Sequence, residues 1–430
     1  MVTDPSRAFR TPIWPGTAAP SIPTLPLGAA ERADLVVVGG GILGLATALS
    51  AARSGLAVRL VEADAIGRGA SALNGGQVIP GLKYDPAELV ARFGEVRGRA
   101  LVDFAATTAD RVFDLIAAEG LAVPHARNGW IQAAVSETAL AAGHARARAW
   151  QALGAPAETL DAAGIAAFTG ARGYVGGWID RRAGTIDPLA YVQELARIAA
   201  AAGVAIAAGA PATGLRREGG GWVVTAGGAE IRAPRVVVAT NAATDGLIPG
   251  LARTLVPLHS FQIATAPLPE RLLAGVLPGG QAVSDSRRIL VYHRRGPGGR
   301  IVLGGRGRMG LPRSPADWAH LERALTRLYP ALAGTPIDAR WFGRVAVTTD
   351  HLPHLHRPEP GLFAFVGCQG RGVGLMTAMG LALGPALAAD AVDALPFPVS
   401  PIRPIPLHGL RQIGVAAAIT SYRLLDALER

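Results

Sequence analysis

Apolar runs of two lengths set the pattern of this chain. Residues 35–38 (LVVV) are apolar throughout, residues 58–61 (VRLV) nearly so, and between them 42–53 are small and mostly apolar. A short unbroken apolar run predicts a strand buried on both faces, and a longer one predicts a helix. Residues 85–119 and 137–153 carry apolar positions at helical spacing, while 129–135 (GWIQAAV) and 174–179 predict strands. TIDP, Thr185 to Pro188, stops the second strand and caps a helix over 189–201. Strand-like pieces then come in quick succession at 204–207, 213–216, 222–225, 230–232 and 236–239, parted by EGGG and AGGA. That is a small antiparallel meander ahead of a final apolar strand. From 255 to 305 apolar and polar runs alternate with turns, predicting a second antiparallel sheet, and helix returns over 316–329. The fold class is α/β with α+β insertions, without an internal repeat.

The ends differ from the middle. Prolines at 5, 12, 15, 20, 23 and 26 predict an extended arm over residues 1–33 lying on the surface, with neither the apolar core of a signal peptide nor a membrane span. Residues 410–428 show apolar positions at helical spacing broken by Arg411, Gln412, Arg423 and Asp426, which predicts a docked amphipathic helix in a C-terminal extension over 396–430.

Glycines mark where the chemistry lies. Gly39-x-Gly41-x-x-Gly44 joins the first strand to its helix, and Glu62 ends the second strand, completing a βαβ unit. In such a unit Gly39 permits the tight turn, Gly41 lets backbone approach a pyrophosphate, and Gly44 lets helix pack on strand. Ile42 and Leu43 open the helix whose N-terminus faces the phosphates, and Glu62, with Ala63 beside it, accepts the ribose hydroxyls. A second glycine site, Gly370-Arg371-Gly372-Val373-Gly374, follows the strand FAFV and opens another helix, whose N-terminal N–H groups suit negative charge. Between them, in GRGASALNGGQ, Ser71 and Asn74 are placed to cap a helix, while Gly75 and Gly76 permit close approach of a flat ring, unless this is only a loop.

Composition narrows the classes. Among 430 residues half are hydrophobic, so a large core and about two domains are expected. The net charge of +10 suggests nucleic acid, but the arginines are scattered, aromatics are 5%, and no block of about five like charges occurs. Cys368 is the sole cysteine, which excludes a disulfide framework and fits a reducing, cytoplasmic compartment. His351, His354 and His356 alternate with Pro and Leu without carboxylates beyond Asp350, so no metal site is expected.

Taken in order, VVVGGGILGLATALSAARSG…VRLVEADAIGRGASALNGGQ, TIDP, RVVVATNA, TTDHLPHL and GCQGRGVGLMTAMG resemble the FAD-dependent oxidoreductases of the D-amino-acid oxidase superfamily. The branch most similar is that of γ-glutamylputrescine oxidoreductase-like amine oxidases, over residues 34–425. The resemblance implies a glutathione-reductase-type FAD-binding Rossmann domain (34–80, 174–250 and 338–395) and an antiparallel-sheet substrate domain (81–173 and 251–337). It adds Gln77, Ala212 and Thr240 to the cofactor-binding residues. It also implies oxidation of a primary or secondary amine at its C–N bond by hydride transfer to flavin N5, with oxygen or another acceptor. The alternatives are an amino-acid dehydrogenase using a quinone and a flavin-binding protein without turnover.

Departures from the family pattern limit what carries over. At the position where family members hold a substrate carboxylate with an arginine stands Val345, with Arg344 adjacent. A flavin-linking cysteine is missing from that segment, so noncovalent FAD is expected. Lys83 is the only lysine, so either it reaches the flavin, an Arg or His substitutes, or oxygen is a poor acceptor. Tyr292 and His293 lie consecutively on a strand over the flavin, so only one faces the site. Lys83, Tyr292 and His293 are the catalytic candidates.

Overall fold

The computed structural model describes residues 5–16, 22 and 24–428. At its centre lies a six-stranded sheet in the order Ala205–Ala207, Val58–Val61, Leu35–Val38, Arg235–Val238, Leu362–Val366, His354–Glu359. The first five strands run parallel and the last antiparallel. Every residue of Leu35–Val38 is buried, as a strand covered on both faces requires. One covering layer pairs helix Ile42–Arg53 with helix Gly372–Ala388. Glycines make their close crossing possible: a Cβ at Gly380 would stand 2.6 Å from Ala46 Cβ, and one at Gly384 2.1 Å from Ser50 Oγ.

The predicted meander forms Ala212–Glu218, Gly221–Ala226 and Ala229–Ala233. The proline-rich arm adds a fourth strand, Ala30–Arg32, parallel to Ala229–Ala233. The arm is therefore no mere surface strap. Phe9 stacks 4.6 Å from Trp318, and Trp14 is 4% exposed, because a large aromatic ring gains more by burial than the extended backbone gains from water.

The second large sheet has eight strands in the order Ile337–Val347, Val256–Thr265, Ile301–Arg306, Val291–Arg295, Ala282–Asp285, Trp130–Ala134, Gly176–Asp180, Ala157–Leu160. Gly176–Asp180 and Ile337–Val347, counted by sequence with the nucleotide-binding part, pair within this sheet. Their apolar pattern fits either sheet; only the hydrogen-bond partners decide. One face is apolar, with Ile131, Ile179, Phe261, Ile263, Val283, Leu303 and Phe342 packed on Trp318 and Leu321. The other turns toward the parallel sheet. A three-stranded ribbon, Gln77–Val78, Gly184–Ile186 and His125–Ala126, lies between.

Asp187 caps helix Pro188–Ala201 by accepting from the N–H groups of Leu189 and Ala190, as TIDP predicts. In helix Arg411–Leu428, among the described side chains, Ile413 is 68% exposed and Tyr422 and Leu425 stand open, while Val415, Ala418 and Ile419 are half-buried. Among the described residues no helix is long and apolar enough to cross a membrane.

Candidate active site

Four adjacent parallel strands end side by side and deliver Glu62, Gly39, Thr240 and Gly367 to one edge of the sheet, the edge where α/β sheets place ligands. Gly39 has φ +111°, and a Cβ there would lie 3.0 Å from the Ala239 carbonyl oxygen and 3.5 Å from Thr240 N. At Gly44 a Cβ would lie 1.9 Å from the Gly39 carbonyl oxygen, so only glycine lets the helix start this close. Ile42 and Leu43, both buried, begin that helix after Gly41.

Glu62 bridges the two strand ends. One carboxylate oxygen accepts from Gly40 N at 2.6 Å and the other from Asp64 N at 3.0 Å, across exposed Ala63. Ala210 N donates to the Glu62 carbonyl at 2.8 Å, two residues before Ala212. Ser71 does not cap its own helix. Ala70–Leu73 has Gly69 at its N-terminus, and Ser71 Oγ instead accepts from Ile42 N at 3.1 Å, capping the dinucleotide-type helix. Asn74 closes the short helix at its C-terminal end, donating to Ser71 O (2.6 Å) and accepting from Gly76 N (2.8 Å).

The turn at Gly75 and Gly76 is gripped from the eight-stranded sheet. A Cβ on Gly75 would stand 2.8 Å from Tyr292 Cε2, and one on Gly76 2.3 Å from the Ile186 carbonyl oxygen. Arg294 Nη1 donates to the carbonyls of Gly75 (3.2 Å), Gly76 (3.0 Å) and Ile186 (2.7 Å). Gln262 and Trp341 both donate to Leu73 O, and Trp14 Nε1 donates to Asn74 O at 3.0 Å. Trp14 also lies under Arg294, whose guanidinium is 5.2 Å from the ring. Beside the turn, Gln77 Nε2 and Gln262 Oε1 are buried without partners. Sequence patterning does not single out Trp14, Gln262 or Arg294. The available signal for Arg294 is its spacing of two from Tyr292, which puts both on one face.

Register decides between Tyr292 and His293. Tyr292 is paired with Gly304, which pairs in turn with Gln262, on the face toward Gly75. His293 points into the apolar layer, where Tyr174 OH and Tyr329 OH each lie 3.1 Å from one ring nitrogen. Burial pushes its pKa down to about 3. A role for His293 in handling the amine is thereby corrected: strand alternation sends it away from the site. Val345 lies 4.0 Å from the Cβ position of Gly370, while Arg344 pairs with His259 on the other face.

The last glycine loop joins these parts. Gly367 N donates to Asn241 Oδ1 at 3.0 Å, and after Gly370 (φ +78°) helix Gly372–Ala388 begins, with Val373 buried in its first turn. Arg371 Nη1 donates to Pro80 O at 2.5 Å, and its guanidinium carbon lies 6.0 Å from the centre of the Trp130 ring. Cys368 is buried, its Sγ 3.9 Å from Ala346 O.

Lys83 stands near Arg371, Arg146 and Cys368. Its side chain is exposed, yet it stands deep enough that burial, with Arg371 and Arg146 adding repulsion, lowers its pKa to about 8. Arg146 is held by Asp85 and by Gln132. Since the folded-state pKa lies below that of a free lysine, the charged form costs stability below about pH 8, and stability rises as pH climbs toward 10.5. The trinitrobenzenesulfonate labelling that is lost in Lys83→Gln, and so excludes the N-terminal amine, should have a half-maximal rate near pH 8; a midpoint near 10.5 would contradict the lowered pKa.

The family model "FAD dependent oxidoreductase" (DAO) matches residues 34–384. This chain belongs to the DAO family of FAD-dependent oxidoreductases. It is 31% identical over 418 residues to the "Probable oxidoreductase OrdL" of Rhizobium meliloti, covering 91% of this chain and 94% of that one. It is 29% identical over 399 residues to the γ-glutamylputrescine oxidoreductase of Escherichia coli, covering 92% and 93%. The fold is similar to that of glycine oxidase from Geobacillus kaustophilus, with a TM-score of 0.70 at 22% identity over 86% of this chain and 99% of that chain. As a member of this family it is an FAD-dependent oxidoreductase, and the residues present fit FAD. The cradle at Gly39, Gly41 and Gly44 admits no side chain, Glu62 presents a carboxylate at the strand end, and Gln77 offers an unpaired amide donor beside a side-chain-free turn.

Proposed function

We propose that this enzyme oxidises a primary or secondary amine at its C–N bond with noncovalently held FAD and oxygen as acceptor, in the cytoplasm. The observation that carries this reading is the polar, aromatic sheet face of Tyr292, Ser260, Gln262, Gln132 and Trp130 brought against the Gly75–Gly76 turn. FAD, when bound, supplies the two-electron acceptor that takes the hydride from the amine carbon, leaving an imine for water to hydrolyse.

The protein's own part is positioning and electrostatics. Gly39, Gly41, Ile42, Leu43, Gly44, Glu62, Ala63, Ser71, Ala212 and Thr240 would hold the dinucleotide half. Asn74, Gly75, Gly76, Gln77 and the loop Gly370, Arg371, Gly372 and Val373 would hold the ring. The N-terminus of helix Gly372–Ala388 offers free N–H groups where negative charge collects. Lys83, Arg371 and Arg146 make the cleft positive, which favours the neutral, reactive form of an amine over its ammonium. Tyr292, hydrogen-bonded to Ser260 at 2.8 Å and held un-ionised by burial, with its pKa pushed up to about 12, can orient the amine without titrating.

Cys368 is buried against Ala346, which supports noncovalent retention. Acid precipitation should therefore leave all flavin in the supernatant, whereas flavin in the pellet would contradict it. The acceptor is tested with an oxygen electrode: consumption of oxygen with matching peroxide supports an oxidase. Turnover with a quinone or dye alone would favour the dehydrogenase reading.

A further inference from the structure

A line of hydrogen bonds crosses from the eight-stranded sheet to the residue that follows the Gly75–Gly76 turn. Ser284 pairs with Tyr292 on one side and with Gln132 on the other, and cross-strand partners share a face, so Ser284 stands with both on the side that meets the turn. Trp130, two residues before Gln132, shares that face. Trp130 Nε1 donates to Ser284 Oγ at 3.0 Å, and Ser284 Oγ donates to Gln77 Oε1 at 3.3 Å. Gln77 itself is fixed by its strand, which pairs it with Thr185. Its Nε2 is buried and has no hydrogen-bond partner.

Donor counting sets the direction of this line. An indole N–H only donates, so it occupies a lone pair of Ser284 Oγ and leaves the hydroxyl hydrogen for Gln77 Oε1. The reversed amide would put its NH2 group on Ser284, and the hydroxyl hydrogen would then have no acceptor among the described residues. Gln77 is therefore held with its oxygen on the sheet and its NH2 group on the side away from Ser284. The start of the line is rigid: the Trp130 ring meets Trp178 edge-on at 5.6 Å, and Trp178 Nε1 donates to Gln132 Oε1 at 2.9 Å. Neighbouring amide donors are committed, as Gln262 Nε2 is to Leu73 O. A buried amide donor without an acceptor costs stability unless a ligand supplies one.

We propose that Ser284 is a positioning residue, which locks the Gln77 amide with its N–H toward the flavin ring and so strengthens the hold on the reduced, electron-rich form. This rests on the FAD site of the proposed function and is independent of which amine is oxidised. A fixed donor favours the state in which its acceptor gains negative charge, and it does so without reorganising at the moment of reaction. Trp130 supports the same lock from behind, since its N–H keeps the Ser284 hydroxyl from turning away.

The test is the two-electron reduction potential of the FAD-loaded enzyme, measured anaerobically against a reference dye. In Ser284→Ala the amide is free to turn, and the affinity for reduced relative to oxidised flavin should fall about tenfold, which lowers the potential by about 30 mV. Ser284→Thr keeps the hydroxyl and should match the parent. Ser284→Val, of nearly the same shape without the hydroxyl, should match Ser284→Ala. In a Gln77→Leu background Ser284→Ala should shift the potential no further, because Ser284 acts only through that amide. Flavin content and thermal melting report whether each variant folds, and the Ser284→Thr and Ser284→Val pair decides if Ser284→Ala does not. Equal potentials in that pair, or an undiminished shift in the Gln77→Leu background, overturn the proposal. If the potentials move as expected but no amine bleaches the flavin, the positioning role stands and the amine reading falls. If amines bleach it while the pair keeps the parent's potential, the reverse holds.

Discussion

Replacing Glu62 by Ala should raise the dissociation constant of FAD about 10- to 100-fold. Its carboxylate stands at the end of the second parallel strand and also accepts from Gly40 N, inside the turn that approaches the pyrophosphate. Hydrogen bonds to a charged group are worth about 1.5–3 kcal/mol, and about 1.4 kcal/mol is tenfold in affinity. The alanine variant loses the acceptor for ribose and the tie that sets the turn. Glu62→Gln should fall between the two, since its amide oxygen still accepts without charge. Fluorescence titration of the apoprotein with FAD measures all three, and an unchanged constant for Glu62→Ala would remove Glu62 from the cofactor site.

Arg294→Met should act on stability as well as on the flavin. The guanidinium is buried and donates to three carbonyls belonging to two separate segments, so it clamps the Gly75–Gly76 turn to strand Gly184–Ile186. Burial lowers its pKa to about 10, so it is still fully charged at neutral pH. Removing it takes a donor from all three carbonyls, of which Gly76 O keeps Ile186 N, and leaves Trp14 without its cation, a loss of about 3 kcal/mol. Denaturant melts of the apoprotein should shift accordingly, and the purified variant should carry less flavin per chain. A wild-type melt with full flavin content would show that the turn holds itself.

How much of this was legible depends on how local each signal is. The βαβ unit was legible because LVVV, the three glycines and Glu62 follow one another within one stretch of chain, and each constrains the next through sterics. The TIDP cap was legible for the same reason, Asp187 bonding to N–H groups two and three residues on. Tyr292 and His293 were legible only as a pair with opposite directions. Which one meets Gly75 is fixed by pairing with Gly304 and Gln262, contacts that no periodicity encodes. Ser71 shows the same limit: its composition promises a cap, but the helix it caps begins far earlier in the chain, at Ile42. Trp14 was least legible, since a tryptophan in a proline-rich arm gives no hint that its indole N–H will meet Asn74 O. Strand Gly176–Asp180 was legible as a strand but not by its neighbours, because an apolar run says that a strand is buried and not beside which partner.

The central claim is that the glycine cradle and the polar sheet face together oxidise an amine on FAD. The most direct measurement is the absorption spectrum of the FAD-loaded enzyme, taken anaerobically as γ-glutamylputrescine, sarcosine and several D-amino acids are added in turn. The account predicts that the oxidised flavin bands bleach with at least one amine. Flavin that binds but is bleached by none of them would contradict the catalytic claim, and a protein that takes up no FAD would contradict the site itself.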